Sequence, residues 1–196
     1  MTSGSNTTSS NCQLPISDCR LGVDGIGNWK SEIGNQRLAS VWSALASVTD
    51  PEIPVISVVD MGIIADVRCD ADAVVVDMTP TFVGCPALDM IRDDIRRAVL
   101  AVGAATVSVN VVFDPPWTSD RMTAEGRRKL KEFGLAPPEK CHAGASVSIP
   151  TSARCPHCDS DQTDLESIFG PTLCRSIHYC RGCLQSFERF KTITAH

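Results

Sequence analysis

Cys155-Pro156-His157-Cys158 and Cys180-Arg181-Gly182-Cys183 are two C-x-x-C pairs, with 21 residues between the inner cysteines. Four thiolates so spaced suit one tetrahedral Zn²⁺, which accepts four sulfurs without geometric strain. A redox C-x-x-C or a disulfide would explain only one pair at a time. Four thiolates leave no open position for water, so the metal is expected to be structural: Zn²⁺ on Cys155, Cys158, Cys180 and Cys183. Cys174 is a fifth thiol nearby, able to replace a ligand or to stay free, and His157 and His178 could also substitute.

A different chemistry is available at Cys85. Val74-Val75-Val76 opens a β-branched run that stops at Thr79-Pro80, as a strand does. Leu88, Ile91, Ile95, Ala98, Val99 and Val102 then recur at three and four, which is one apolar helical stripe, and Gly103 follows as a cap. Gly84-Cys85-Pro86 lies between, with Pro86 suited to the first helical position. Cys85 is therefore expected at a helix N-terminus, where unpaired N–H groups favour thiolate over thiol. Such a sulfur can attack an electrophile or hold a soft metal; a small buried residue under a turn is the alternative. All four histidines lie beyond position 140, so no base is evidently paired with Cys85, and independent enzyme activity is not expected.

The elements that must position these groups are short. A helix is expected over Gln36–Val48, with Leu38, Val41, Trp42, Leu45 and Val48 on one face, ending at Thr49-Asp50-Pro51. Asp50-Pro51-Glu52-Ile53-Pro54 reads as a rigid turn whose carboxylates either orient the thiol or serve the turn, Asp50 bonding the backbone and Glu52 solvated. Val55–Val59 is expected to be extended. Strands follow at Ile63–Cys69 and Val74–Thr79, paired as a hairpin through Asp70-Ala71-Asp72, and at Thr106–Phe113. Trp117 is expected to cap the core edge or to anchor a partner. Thr123–Phe133 is a basic helix bearing Arg127, Arg128, Lys129 and Lys131, fit for an acidic partner or a CoA phosphate, or simply solvated.

The fold class is α+β: a small mixed sheet with helices on one face, followed by a zinc-ribbon module. The expected divisions are a flexible tail, 1–35, holding Cys12 and Cys19; an α+β domain, 36–134; a linker, 135–153; and the ribbon, 154–196. The chain is 43% hydrophobic and 21% charged, with net charge −5, which argues against a broad nucleic-acid footprint. No apolar run reaches membrane-span length and no secretory signal is evident, so ten cysteines point to metal ligation in a reducing cytoplasm.

The order of motifs resembles a known family. Asp50-Pro51-Glu52-Ile53-Pro54, Asp60-Met61-Gly62-Ile63 and Thr79-Pro80-Thr81 with Gly84-Cys85-Pro86-Ala87 resemble the small iron–sulfur-assembly domain typified by SufT. Pro116-Trp117-Thr118, Gly126-Arg127-Arg128-Lys129-Leu130, Phe169-Gly170-Pro171-Thr172-x-Cys174 and Phe187-Glu188-Arg189-Phe190-Lys191 narrow this to the PaaD/PaaJ-type subunits of bacterial phenylacetyl-CoA epoxidase systems. The resemblance spans about Arg37–Ile193. It implies an accessory or maturation subunit of a multicomponent, ring-epoxidising monooxygenase, aiding iron or iron–sulfur assembly in the oxygenase and reductase subunits. It carries the functional thiol onto Cys85, with Asp50 and Glu52 as neighbours and a transient iron or iron–sulfur cluster as cargo. One thiol cannot hold a cluster, so a homodimer or client thiols would complete the coordination. A non-catalytic bridging subunit between oxygenase and reductase is the alternative. The chain departs from the family at Asp159, where knuckles usually carry glycine, and at Val83.

Overall fold

The computed structural model of the protein describes residues 28–70, 72–82, 84–140 and 151–193. Cys12, Cys19 and Val83 lie outside these residues.

Helix α1 runs Asn28–Ser47, opening inside the stretch expected to be a tail. Asn28–Asn35 holds no proline, and its one interior glycine is a tolerable cost of about 1 kcal/mol. Val41 and Leu45 of this helix are fully buried. Val55–Val59 is not a strand: it forms turns with one isolated bridge, Thr49 to Ser57. The side chain of Asp50 closes the turn just before this stretch, accepting from Glu52 N and Ile53 N, and Asp50 N donates to Ile56 O.

Strands β1 (Ile64–Asp70) and β2 (Ala73–Met78) pair antiparallel, and β2 pairs parallel with β3 (Thr106–Val111) after the crossover helix α2 (Leu88–Ala101). Alternation sorts the faces. Val74, Val76 and Met78 turn inward with Val109, and Ile91, Ile95 and Val99 of α2 cover them together with α1. The other face is polar: Arg68 pairs with Asp77, which accepts from Asn110 Nδ2 at 2.9 Å. The expected α+β architecture is therefore present, with both helices on one side of the sheet.

Beyond β3 a short 3₁₀ turn, Ser119–Arg121, leads to α3 (Ala124–Glu132) and strand β4 (Leu135–Ala136). Thr123 caps α3, accepting from Gly126 N at 2.9 Å. A second sheet follows in the order β4-β7-β6-β5, from β5 (Thr163–Ser167), β6 (Arg175–Cys180) and β7 (Gln185–Phe190). Leu135–Ala136, in the stretch expected to link, supplies its edge strand, parallel to β7.

One apolar cluster runs from α1 and the first sheet to Leu130, Leu135 and Phe190. Trp117 sits within it, 2% exposed, its Nε1 donating to Met61 O at 3.0 Å and its ring 6.0 Å from that of Phe190. It caps the core. The basic run on α3 is paired within the chain, with Arg128 and Lys131 at its surface. Arg127 donates to Pro138 O and Ser119 O, Arg128 pairs with Glu125 and Glu132, Lys129 with Asp60 and Lys131 with Asp159.

Candidate functional site

A four-sulfur cluster and a separate cysteine, Cys85, stand out among the described residues. The first is built by two matching turns. In each, the backbone N–H of the residue after the second cysteine returns to the first cysteine's carbonyl: Asp159 N to Cys155 O at 3.0 Å and Leu184 N to Cys180 O at 2.9 Å. Closing that turn puts Asp159 and Leu184 in the left-handed region, at φ 59° and 60°. Asp159 occupies the glycine-like position its place in the motif predicts, and Leu184 matches it.

The sulfurs of Cys155, Cys158, Cys180 and Cys183 all lie within 4.8 Å of one another, with Sγ–Sγ separations of 3.7 Å (Cys155 to Cys183) and 3.5 Å (Cys158 to Cys180). A tetrahedron with Zn–S bonds of about 2.3 Å has edges of roughly 3.8 Å, so the donor set fits zinc. The Cys183 N–H draws the Cys180 thiol down to about 6, and burial pushes Cys183 up to about 12. Crowded sulfurs cannot all ionise alone; a dication removes that conflict by taking all four as thiolates. Cys174 is not in this set, and neither histidine is. His178 is fully buried, stacked on Phe187 with ring centroids 5.6 Å apart, while His157 lies against Gly134.

The second feature is Cys85. Helix α2 begins at Leu88 with Ala87 as its cap residue, so Pro86 precedes the helix instead of opening it. Cys85 lies in the turn before, donating N–H to Phe82 O at 3.3 Å and accepting from Leu88 N at 3.2 Å. Gly84, at φ 88°, makes the bend. The sulfur is half-buried, between the core and the surface. The expected thiolate is not favoured. Burial raises the Cys85 thiol above its ordinary value, the Ala87 N–H opposes this, and Asp50, Cys174 and Glu52 push it further up. Desolvation and negative neighbours outweigh the helix end.

Asp50 is 9% exposed, and its Oδ1 accepts from Glu52 N at 2.7 Å and Ile53 N at 3.1 Å. It is both the knot of its turn and a charge near the thiol. Glu52 is not simply solvated: its carboxylate lies 3.9 Å from Arg175 Nη2, which also donates to Glu52 O at 3.4 Å. Arg175 Nη1 pairs with Glu188 at 2.8 Å.

Sequence reasoning placed Cys174 only beside the zinc ligands and gave Arg175 no part in the site, yet Arg175 contacts Glu52, and Cys174 packs on the core that also receives Cys85. Cys174 packs on the same core as Cys85, its thiol 3.0 Å from Thr172 Oγ1. Burial raises this thiol, with Asp50 and Glu52 acting in the same direction. The signal was present in Phe169-Gly170-Pro171-Thr172-x-Cys174, a motif with a cysteine outside both C-x-x-C pairs.

The chain matches two family models, the PaaD zinc beta ribbon domain over residues 140–191 and an iron-sulfur cluster assembly protein over residues 38–111. It is 37% identical over 163 residues to a protein of Escherichia coli (strain K12) that is named as a component of 1,2-phenylacetyl-CoA epoxidase, covering 82% of this chain and 96% of that protein. It is 43% identical over 88 residues to the Fe-S protein maturation auxiliary factor of Porphyromonas gingivalis (strain ATCC BAA-308 / W83), covering 44% and 83%. A solved structure of a DUF59 domain from Bacillus anthracis covers 51% of this chain and 96% of that one, with 28% identity and a TM-score of 0.48.

Proposed function

The chain belongs to the PaaD family of 1,2-phenylacetyl-CoA epoxidase components, and on that footing we propose that it is a maturation subunit delivering iron or iron–sulfur centres to its oxygenase and reductase partners. Its substrate in this reading is the metal cargo, and Cys85 is the sulfur that takes it. The observation that carries the reading is the Cys85 turn: a half-buried thiol within electrostatic reach of the Asp50 and Glu52 carboxylates on an iron–sulfur-assembly-type domain.

The raised thiol suits a carrier. At neutral pH the sulfur rests protonated, which slows its oxidation and leaves it unligated. An arriving ferrous ion exchanges for the proton, and the two carboxylates that disfavour an empty thiolate then favour the occupied site. The bond formed is reversible by proton return, as delivery requires. The zinc ribbon docks the client in this scheme. Ile168, Phe169 and Leu173 are exposed at one end of it and offer apolar contact area.

The test is metallation in cells. With Cys85→Ala in place of the parent, oxygenase and reductase accumulate with iron content and epoxidation activity reduced at least tenfold. Fully metallated, active partners in that background would remove the proposal. They would leave the chain a bridge between oxygenase and reductase.

A further inference from the structure

The segment between β5 and β6 exposes large apolar side chains: Phe169 is 61% exposed, Leu173 50% and Ile168 40%. Phe169 and Leu173 meet at one cation. Lys191 follows β7, and its Nζ donates to Leu173 O at 2.7 Å and lies 5.3 Å from the centre of the Phe169 ring. The same Nζ lies 5.8 Å from the centre of the Phe82 ring. Phe82 comes from the other half of the chain, where its carbonyl accepts the Cys85 N–H. The patch therefore spans ribbon and first sheet and borders the Cys85 turn. Its cation differs from those on α3. Lys129 and Lys131 each hold a carboxylate, at 2.6 and 2.5 Å. Among the described residues Lys191 has none within 4.0 Å. Its ammonium is already partly desolvated, and burial draws it below its ordinary value.

We propose that Phe82, Phe169 and Leu173, set around the Lys191 ammonium, are the docking patch for the client protein, and that the client enters with a large apolar side chain next to a carboxylate. This rests on the reading of the chain as a maturation subunit, and it names the chemistry by which that subunit knows its client. Exposed apolar groups of this size mark contact surfaces. Whatever covers Phe169 and Leu173 also strips water from Lys191, and a cation so covered is costly unless an anion meets it. A purely apolar partner therefore fails. A second copy of this chain fails too, because a two-fold contact through the patch sets Lys191 against the partner's Lys191. A nucleic acid supplies anions but needs a broad basic face, and this chain carries a net charge of −5. An acidic-apolar protein segment satisfies both the rings and the ammonium. Seated there, it lies against Phe82, beside the turn that holds Cys85, so that recognition and delivery share one edge of the molecule.

The experiment titrates zinc-loaded, full-length chain with the purified oxygenase and reductase subunits of the same epoxidase system, at low and at high salt. The parent binds at least one of them. Phe169→Ser combined with Leu173→Ser weakens that binding at least tenfold. Lys191→Met keeps the aliphatic stem but weakens binding at least fivefold and flattens its salt dependence, and Lys191→Arg restores both. Leu100→Ser, an exposed apolar position at the far end of α2 from Cys85, binds as the parent does. Parental affinity in the double serine variant overturns the patch. Parental affinity and salt dependence in Lys191→Met overturns the carboxylate assignment. No complex between the parent and either subunit overturns the proposal outright, while the cellular test of Cys85→Ala still decides the maturation role separately. Conversely, fully metallated partners in the Cys85→Ala background remove that role, and lost binding in the double serine variant then keeps the patch as a bridge contact. A second measurement needs no variant. Carbodiimide treatment of the complex, followed by peptide mapping, joins Lys191 to a client carboxylate beside a large apolar residue. A complex that forms without that cross-link overturns the assignment even where Lys191→Met fails to fold.

Discussion

A single residue type behaves in different ways here, and burial with charge decides which. Cys155, Cys158, Cys180 and Cys183 are crowded onto one point and want a dication. Cys85 and Cys174 are kept as thiols by desolvation and by carboxylates. Spacing in the sequence revealed the first group because turn geometry is local. It pointed to a helix-end thiolate at Cys85, whereas burial raises that thiol and Asp50, Cys174 and Glu52 add to the rise, none of which a local window contains. Leu184 shows the same local logic as a cost. It holds φ 60° at the end of its knuckle and is 70% exposed, so its side chain gains little packing in return. A non-glycine residue in that region costs about 1–2 kcal/mol, part of which glycine forfeits through its freer unfolded chain. Leu184→Gly is expected to stabilise the zinc-loaded protein by roughly 0.5–1 kcal/mol in denaturant unfolding. Asp159→Gly should gain less, because aspartate tolerates the left-handed region and Asp159 holds Lys131 at 2.5 Å. A loss of stability in Leu184→Gly would mean its side chain does more than the structure shows.

At the scale of elements, periodicity was a good guide and turn chemistry a partial one. The α2 stripe, the β1–β2 hairpin and β3 are legible because 3.6- and 2-residue repeats are written into the apolar positions. Asp60-Met61-Gly62 lies between the stretches expected at Val55–Val59 and Ile63–Cys69, and nothing in its sequence marked it as a joint. In the structure Asp60 O accepts from Thr123 N at 2.9 Å, and its carboxylate takes Lys129 Nζ at 2.6 Å. Gly126 presses so close that an added Cβ would lie 2.7 Å from Asp60 O. Burial alone would raise the Asp60 carboxyl, yet Lys129 and Ser57 hold it below its ordinary value. A depressed carboxyl contributes stability above its unfolded value, about pH 3.9, and loses that contribution as pH falls through its lower folded value. Asp60→Asn is therefore expected to cost about 1.5–3 kcal/mol at pH 7, the range for a hydrogen bond to a charged group. The difference from the parent should shrink as both are titrated below about pH 4. An equal difference at pH 7 and pH 3 would show that the carboxylate's charge contributes nothing.

For the whole molecule, the two sheets were legible separately, one from alternation and one from cysteine spacing, whereas their union was not. That union is made by side chains too scattered to form a pattern: Trp117, Met122, Leu130, Leu135 and Phe190 join the cluster that also holds Ile53, Ile56 and Met61. β4 continues the second sheet directly from the helix that leans on Asp60. The consequence is mechanical. β7 carries Phe190 to Trp117 and pairs with β4, and it begins two residues after Cys183 of the four-sulfur cluster. Metal binding supplies much of the folding free energy of a small ribbon, so removing zinc should loosen β7 first. Leu135 and Phe190, 2% and 1% exposed, then lose their cover, and burial of such side chains is worth about 1.5–3 kcal/mol each. Chelating zinc from the full chain is thus expected to raise amide hydrogen exchange at least tenfold in residues 117–136, which contain no zinc ligand, as well as in the ribbon. Exchange in the α2 and β2 interior should rise less, because Val76, Ile95 and Val99 are covered by α1 and the first sheet. Unchanged protection of residues 117–136 after zinc removal would show the two sheets to be merely adjacent. In that event the Cys85 turn would not sense the metal state of the ribbon, whose hold on the first sheet's end would rest on the Arg175–Glu52 and Lys191–Phe82 contacts.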